Sequence, residues 1–191
     1  MNKNLSRIKE IIDESLLTTK LVNPFEIEKA TKIILSAYKN KKKTIWFGNG
    51  GSASDAQHIT AELVGRFKKE RRALPALCIN TNTSSMTAVS NDYSFLKVFE
   101  RQIEAYGNPG DVAIGITTSG KSKNVILALA LAKKLGCITI GLCGTEKKHL
   151  RGICDLVISV PSSETPRIQE AHILIGHIIC SLVEEKLFGE K

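Results

Sequence analysis

The chain has 191 residues, 42% of them hydrophobic and 24% charged, which suits one globular domain with a substantial core. Its formal net charge is +8, carried partly by lysine runs at 41–43 and 68–69, while one Trp and three Tyr give little aromatic interleaving. That charge reads as solvation and an attraction for phosphate, not as a nucleic-acid surface. Five cysteines without a CxxC pair exclude a disulfide framework or zinc ribbon and suit reduced thiols in a cytoplasmic protein. No signal-peptide core is present, and no apolar run approaches the ~20 residues that cross a bilayer.

Leu5, Ile8, Ile12 and Leu16 share one face of an amphipathic helix over 5–17. Asn23 and Pro24 cap and open a second helix to about Asn40, with Ile27, Ala30, Ile34 and Ala37 as its stripe. Both precede any strand, forming an N-terminal extension (1–40) to a core of 41–191. Thr44 to Phe47 is a buried strand. Gly48-Asn49-Gly50-Gly51-Ser52 is a glycine-rich turn, and a helix follows to about Arg66. Ala76 to Ile79 is a short strand leading to a short helix that ends near Asn91-Asp92. Phe95 to Tyr106 is a helix closed by Gly107. Asp111 to Thr117 is a strand, and a hydroxyl-rich loop to Ser122 leads into a helix over Lys123 to Leu135 with Gly136 as its cap. Cys137 to Cys143 and Leu156 to Val160 are strands, and Pro166 opens a long final helix. Short apolar strands alternating with helices predict a doubly wound parallel α/β sheet covered on both faces, in a single domain.

Ligands of such folds gather at the carboxyl ends of the strands, where the two Gly- and hydroxyl-rich loops fall. A glycine turn opening a helix presents backbone N–H groups and the positive end of the helix dipole to an anion. His58 and Glu62 stand four residues apart on one face of that helix. Thr117, Thr118, Ser119 and Ser122 put four hydroxyls beside the next helix, a donor array suited to a phosphomonoester; the plain alternative is a loop with Ser122 as N-cap. The G-x-x-x-x-G-K-[ST] spacing is absent. The first turn also fits G-x-G-x-x-A, but a dinucleotide site needs an acidic residue where this chain has Asn80-Thr81-Asn82.

GNGGSASDAQH, AELVGRF, Asn91-Asp92, GITTSGKSKNV and RIQEAHILIGH, in this order, resemble the sugar isomerase (SIS) domain family and more narrowly the bacterial phosphoheptose isomerases. The resemblance runs from about residue 40 onward. It implies conversion of sedoheptulose 7-phosphate to glycero-manno-heptose 7-phosphate for surface lipopolysaccharide or capsule. It implies substrate contacts at Asn49, Gly50, Gly51, Ser52, Glu62, Asn91, Asp92 and Gln169, with Thr117, Thr118, Ser119 and Ser122 as the phosphate loop. Glu62 and His177 match an acid–base pair, and His58, Glu62, Gln169 and His177 match a zinc site described for some members, one ion per subunit. Where some members have an aspartate, this chain has Pro166. Two other readings stand beside this one: a non-catalytic SIS adaptor, such as the relative that binds the bacterial replication initiator, and another phosphosugar isomerase.

The chemistry follows from the residues. Aldose–ketose isomerisation moves one proton between C1 and C2, a task for a carboxylate such as Glu62, while a group titrating near neutrality, His177, serves the oxygens. Each has a plainer reading: Glu62 paired with Arg66, and His177 as a core histidine, which is also how His172 reads. Gln169 and His177 lie about 12 Å apart along a straight helix, an obstacle to one ion. The final helix is apolar on nearly every face from Ala171 to Val183, and the first two helices carry apolar stripes. These predict a homotetramer with sites shared between subunits, unless the N-terminal helices fold back over the final helix.

Overall fold

The computed structural model describes residues 3–189. Five parallel strands, β1 (Thr44–Gly48), β2 (Ala76–Cys78), β3 (Val112–Thr117), β4 (Ile138–Cys143) and β5 (Leu156–Ser159), form one sheet in the order β2-β1-β3-β4-β5. The helices are α1 (Lys3–Lys20), α2 (Pro24–Lys39), α3 (Gly51–Val64), α4 (Thr83–Asp92), α5 (Val98–Tyr106), α6 (Lys123–Lys134) and α7 (Thr165–Phe188), with a 3₁₀ turn at Phe95–Lys97. The doubly wound parallel fold is as the sequence predicts.

Strand alternation divides the core. Trp46, Ile114, Ile116 and Ile158 pack with α2, α3 and α7 on one face; Ile45, Phe47 and Ala113 pack with α5 and α6 on the other. All five residues of β1 and all six of β3 are buried, as expected for strands covered on both sides. Where the sequence reading gave one helix from Phe95, the first turn is 3₁₀ and α5 begins at Val98. Strand β2 stops at Cys78, yet pairing continues: the Ile79 N–H donates to the Trp46 carbonyl (3.1 Å), and then the side-chain amide of Asn80 donates to the Gly48 carbonyl (2.8 Å) and accepts from the Gly48 N–H (3.2 Å). The position that a dinucleotide site would fill with an acid is thus spent on the backbone of β1.

The order 2-1-3-4-5 reverses direction between β1 and β3, which pair from Thr44↔Val112 to Gly48↔Ile116. A crevice opens at such a switch point, at the carboxyl ends of the strands. The loops after β1 and β3, the two that the sequence singled out, therefore flank one crevice.

Helices α1 and α2 both pack on α7. Helix α2 buries Ile27, Ala30, Ile34 and Ala37, whereas α1 buries no residue: Leu5, Ile8, Ile12 and Leu16 are each more than half exposed. The fold-back is thus real, but it leaves the apolar stripe of α1 uncovered. Among the described residues no helix is long and apolar enough to cross a membrane. All five cysteines are free thiols, four buried and Cys154 half-buried.

Candidate active site

The turn after β1 owes its shape to its glycines. Gly50 adopts φ +56°, and a Cβ at Gly48 would lie 2.8 Å from Ser52 and 2.9 Å from the Ile116 carbonyl. At Gly51 an added Cβ would stand 2.2 Å from Nε2 of Gln169, so the glutamine side chain fills the space this glycine leaves. Asn49 is half-buried, Gly50 and Gly51 are exposed, and Ser52, like Gly48, is buried. Helix α3 starts here without a side-chain cap.

Helices α3 and α7 run side by side in the same direction. Gly51 meets Gln169, Gly176 leaves room for Ile59, and His58 meets His177. The two imidazoles face each other with Nε2 atoms 3.0 Å apart, and His58 Nε2 lies 3.2 Å from Glu62 Oε1. One ligand atom from each of His58, Glu62 and His177 falls within 4.8 Å of the others. His58 is exposed; Glu62 and His177 are half-buried. Of the plainer alternatives, Arg66 pairs with Glu70 and not with Glu62, and His177 lines the seam and not the core. His172 is the core histidine: 1% exposed, with Nε2 3.3 Å from the Cys143 carbonyl, and driven by burial down to a pKa of about 4. The pKa of His177 is also lowered, first by burial and then by His58, so its neutral form is favoured near pH 7. Its ring stacks on Phe67, with centroids 5.4 Å apart and planes at 20°.

Across the crevice, the loop after β3 turns its hydroxyls on one another. Thr117 Oγ1 donates to Ser122 Oγ (2.9 Å) and lies 3.4 Å from Ser119 Oγ, which accepts from the Lys121 N–H (3.2 Å). Thr118 is half-buried, and its carbonyl accepts from Gly144. Ser122 is the N-cap of α6 by position, but its hydroxyl makes no capping bond to that helix. Gly120, at φ +64°, passes so close to the Glu146 carbonyl that a Cβ would stand 1.8 Å from it.

A reciprocal amide pair joins the two loops. Asn49 Nδ2 donates to Asn124 Oδ1 and Asn124 Nδ2 to Asn49 Oδ1, each at 2.9 Å. Asn124 was not singled out by the sequence reading; its one signal was an amide in the first turn of α6, directly ahead of the apolar run 125–132. Asp55 was also passed over. It lies on α3 one turn before His58, its Oδ2 is buried without a hydrogen-bond partner, and burial pushes its pKa up to about 6 against the lowering effect of His58. Asn91 and Asp92, the expected second substrate contact, end α4 exposed and bonded to each other at 2.9 Å. Three of the four residues matched to a zinc site thus gather in one chain, while Gln169 stands against Gly51.

Glycine-rich and hydroxyl-rich loops at the switch point of a 2-1-3-4-5 parallel sheet, with an imidazole–carboxylate cluster further along α3 and α7, define the class. The SIS domain model matches residues 9–144, and the chain belongs to that family. Within it the chain is 58% identical over 161 residues to a phosphoheptose isomerase of Nitratiruptor sp., covering 84% of this chain and 86% of that protein. It is 52% identical over 166 residues to that of Clostridium acetobutylicum, covering 87% and 85%. The structure of a phosphoheptose isomerase from Neisseria gonorrhoeae superposes with a TM-score of 0.89 at 35% identity, over 96% of this chain and 100% of that one. The phosphoheptose isomerases are the branch of the family to which the chain belongs.

Proposed function

We infer that this chain interconverts sedoheptulose 7-phosphate and D-glycero-D-manno-heptose 7-phosphate through an enediol. The observation that carries this reading is the parallel seam of α3 and α7, which brings Glu62 and His177 together and, nearer its start, sets Gln169 against Gly51 of the glycine turn. The hydroxyls of Thr117, Thr118, Ser119 and Ser122, with the start of α6, seat the phosphate. Asn49, Gly50, Gly51, Ser52, Asn91, Asp92 and Gln169 hold the sugar. Glu62 takes the proton from C1 as the C1–H electron pair forms the C1=C2 bond, and His177 gives a proton to the oxygen on C2. The hydroxyl on C1 then returns a proton to His177 as C1=O forms, and Glu62 delivers its proton to C2.

The donor set also suits a Zn²⁺ ion. Two ligand atoms at ~2.0–2.1 Å and tetrahedral angles stand about 3.3 Å apart, close to the 3.0 and 3.2 Å separations around His58 Nε2. His58, Glu62 and His177 would hold it, with Gln169 the fourth ligand after turning away from Gly51. Bound there, zinc would polarise the substrate carbonyl. Elemental analysis of protein purified without chelator decides the point; absence of zinc with full chelator-resistant activity refutes it.

The reading extends to a cytoplasmic homotetramer supplying heptose for lipopolysaccharide or capsule. The exposed stripe of α1, with Leu174 of α7 at 42% exposure, supports association. Light scattering giving 20.9 kDa with full activity at dilution would refute it. The decisive experiment for the activity is incubation of pure protein with sedoheptulose 7-phosphate: an aldose 7-phosphate is expected, and none formed would overturn the reading.

A further inference from the structure

Outside the donor cluster, the structure buries one ion pair almost completely. Arg71 and Glu184 have side chains 1% and 2% exposed, with Nε to Oε1 at 2.8 Å. The rest of the guanidinium closes the end of α3: Nη2 donates to the Glu62 carbonyl (2.8 Å), and Nη1 to the carbonyls of Leu63 (2.9 Å) and Gly65 (3.1 Å). These include carbonyls that the last turn of a helix leaves without partners. The rest of the carboxylate gathers the loop that follows: Phe67 and Lys68 donate their N–H groups at 2.8 Å, and Lys69 at 3.2 Å. Phe67 is therefore fixed on α7 by its backbone, and its ring is the one stacked on His177.

A buried ion pair is weak grounds for stability, because apolar residues of similar volume often do as well. What apolar residues lack is a planar fork with five donors and a carboxylate with four acceptor sites. Here those valences converge on the backbone of Glu62 and on the loop that carries the ring against His177. Resting on the catalytic roles argued above, we propose that Arg71 and Glu184 are positioning residues whose pairing, through Phe67, holds the His177 imidazole in register with Glu62. Displacing a reacting group by about 1 Å costs roughly 10²-fold in rate. The phosphate loop belongs to a different turn, so the loss should fall on kcat and spare KM.

Arg71→Lys keeps the charge beside Glu184 but cannot serve its carbonyl partners together. Phe67→Leu leaves the ion pair intact and removes only the stacked ring. Both should lower kcat about 10–100-fold, with KM for sedoheptulose 7-phosphate within about threefold. Phe67→Tyr, which keeps the ring, should restore most of the rate. An activity-independent readout is the NMR resonance of the His177 ring Cε1–H in the full chain, assigned by its loss in His177→Gln. The ring current of the stacked Phe67 should displace this resonance in the parent, and in Arg71→Lys it should move. Folded Phe67→Leu turning over within twofold of the parent overturns the proposal, as does folded Arg71→Lys with an unmoved resonance. If Arg71→Lys does not fold, the contrast between Phe67→Leu and Phe67→Tyr decides alone. A parent that makes no aldose would sink the functional reading instead, and the resonance would still judge the clamp.

Discussion

The two turns that flank the crevice start from the same position, the carboxyl end of a central strand, and use it in opposite ways. The turn after β1 is built by subtraction: Gly48 and Gly51 lack side chains where Ser52, Ile116 and Gln169 press in, so another helix closes onto its backbone. The turn after β3 is built by addition: the hydroxyls of Thr117, Ser119 and Ser122 are gathered on one another, and in the proposed function they exchange those contacts for an oxyanion. A missing Cβ admits a neighbouring part of the protein, whereas an extra Oγ offers a donor that in the proposed function serves a ligand. On this view chemistry belongs to the first side of the crevice and affinity to the second.

The largest expected effect breaks the first side. Glu62→Gln should lower kcat by at least ~10²–10⁴-fold, the usual contribution of an acid–base group, with fold and phosphosugar binding kept. His177→Gln should act similarly, and because both residues sit in one chain, mixed and reassociated Glu62→Gln and His177→Gln chains should recover no activity. Near-parental turnover by Glu62→Gln would end the assignment. Next comes the second side. Ser119→Ala with Ser122→Ala removes two hydrogen bonds to a charged group, at ~1.5 kcal/mol or more each, and should raise KM roughly 100-fold with little change in Tm. Unphosphorylated sedoheptulose should be a very poor substrate, and equal activity on the free sugar would reject the phosphate loop.

Gly51→Ala sharpens the contrast because it adds an atom where the turn was built by removing one. The new Cβ would meet the end of the flexible Gln169 side chain, so the protein should fold while kcat falls about tenfold through the displaced amide. Unchanged kinetics would show that the Gly51–Gln169 contact is incidental. The smallest effect concerns stability. Asp55 has a folded pKa of about 6, above its unfolded value of 3.8. The native state therefore holds the extra proton, and stability falls as pH rises through that interval and stays lower above it. Asp55→Asn removes this loss. Its stability advantage should grow between pH 4 and 6 and level off at roughly 1–2 kcal/mol, about 2–8 °C in Tm, after allowance for partial exposure. An advantage independent of pH across pH 4–8 would contradict the burial argument.

The elements could be read from the chain because each is punctuated locally. Asn23-Pro24 opens α2 with the Asn23 side chain accepting from Phe25, and Gly136, at φ +83°, follows α6. Boundaries differ where local geometry departs from the regular element, as in the 3₁₀ turn ahead of α5 and at the end of β2, where the Asn80 side chain takes over pairing with Gly48. The site could be read only in part. His58 and Glu62 share a helix face, which spacing reveals, but the meeting of His58 with His177 spans 119 residues and depends on α3 and α7 running in parallel. The amide pair of Asn49 and Asn124 and the hold of Glu184 on Phe67 are likewise properties of packing, with no period or motif to announce them.

The order of the sheet has a consequence for synthesis. Strand β1 is central, yet its partner β3 emerges about seventy residues later, and α7, which covers the Trp46 and Ile114 face and carries His177, follows all five strands. At ~5–20 residues per second, a ribosome needs roughly 7–28 s to pass from the end of β1 to the end of α7. Through that interval the nascent sheet keeps apolar surface uncovered, so chaperone engagement should persist until α7 docks. The same event completes the His58–Glu62–His177 cluster, so a chain interrupted before α7 lacks both its cover and His177, and its exposed apolar surface should mark it for proteolysis.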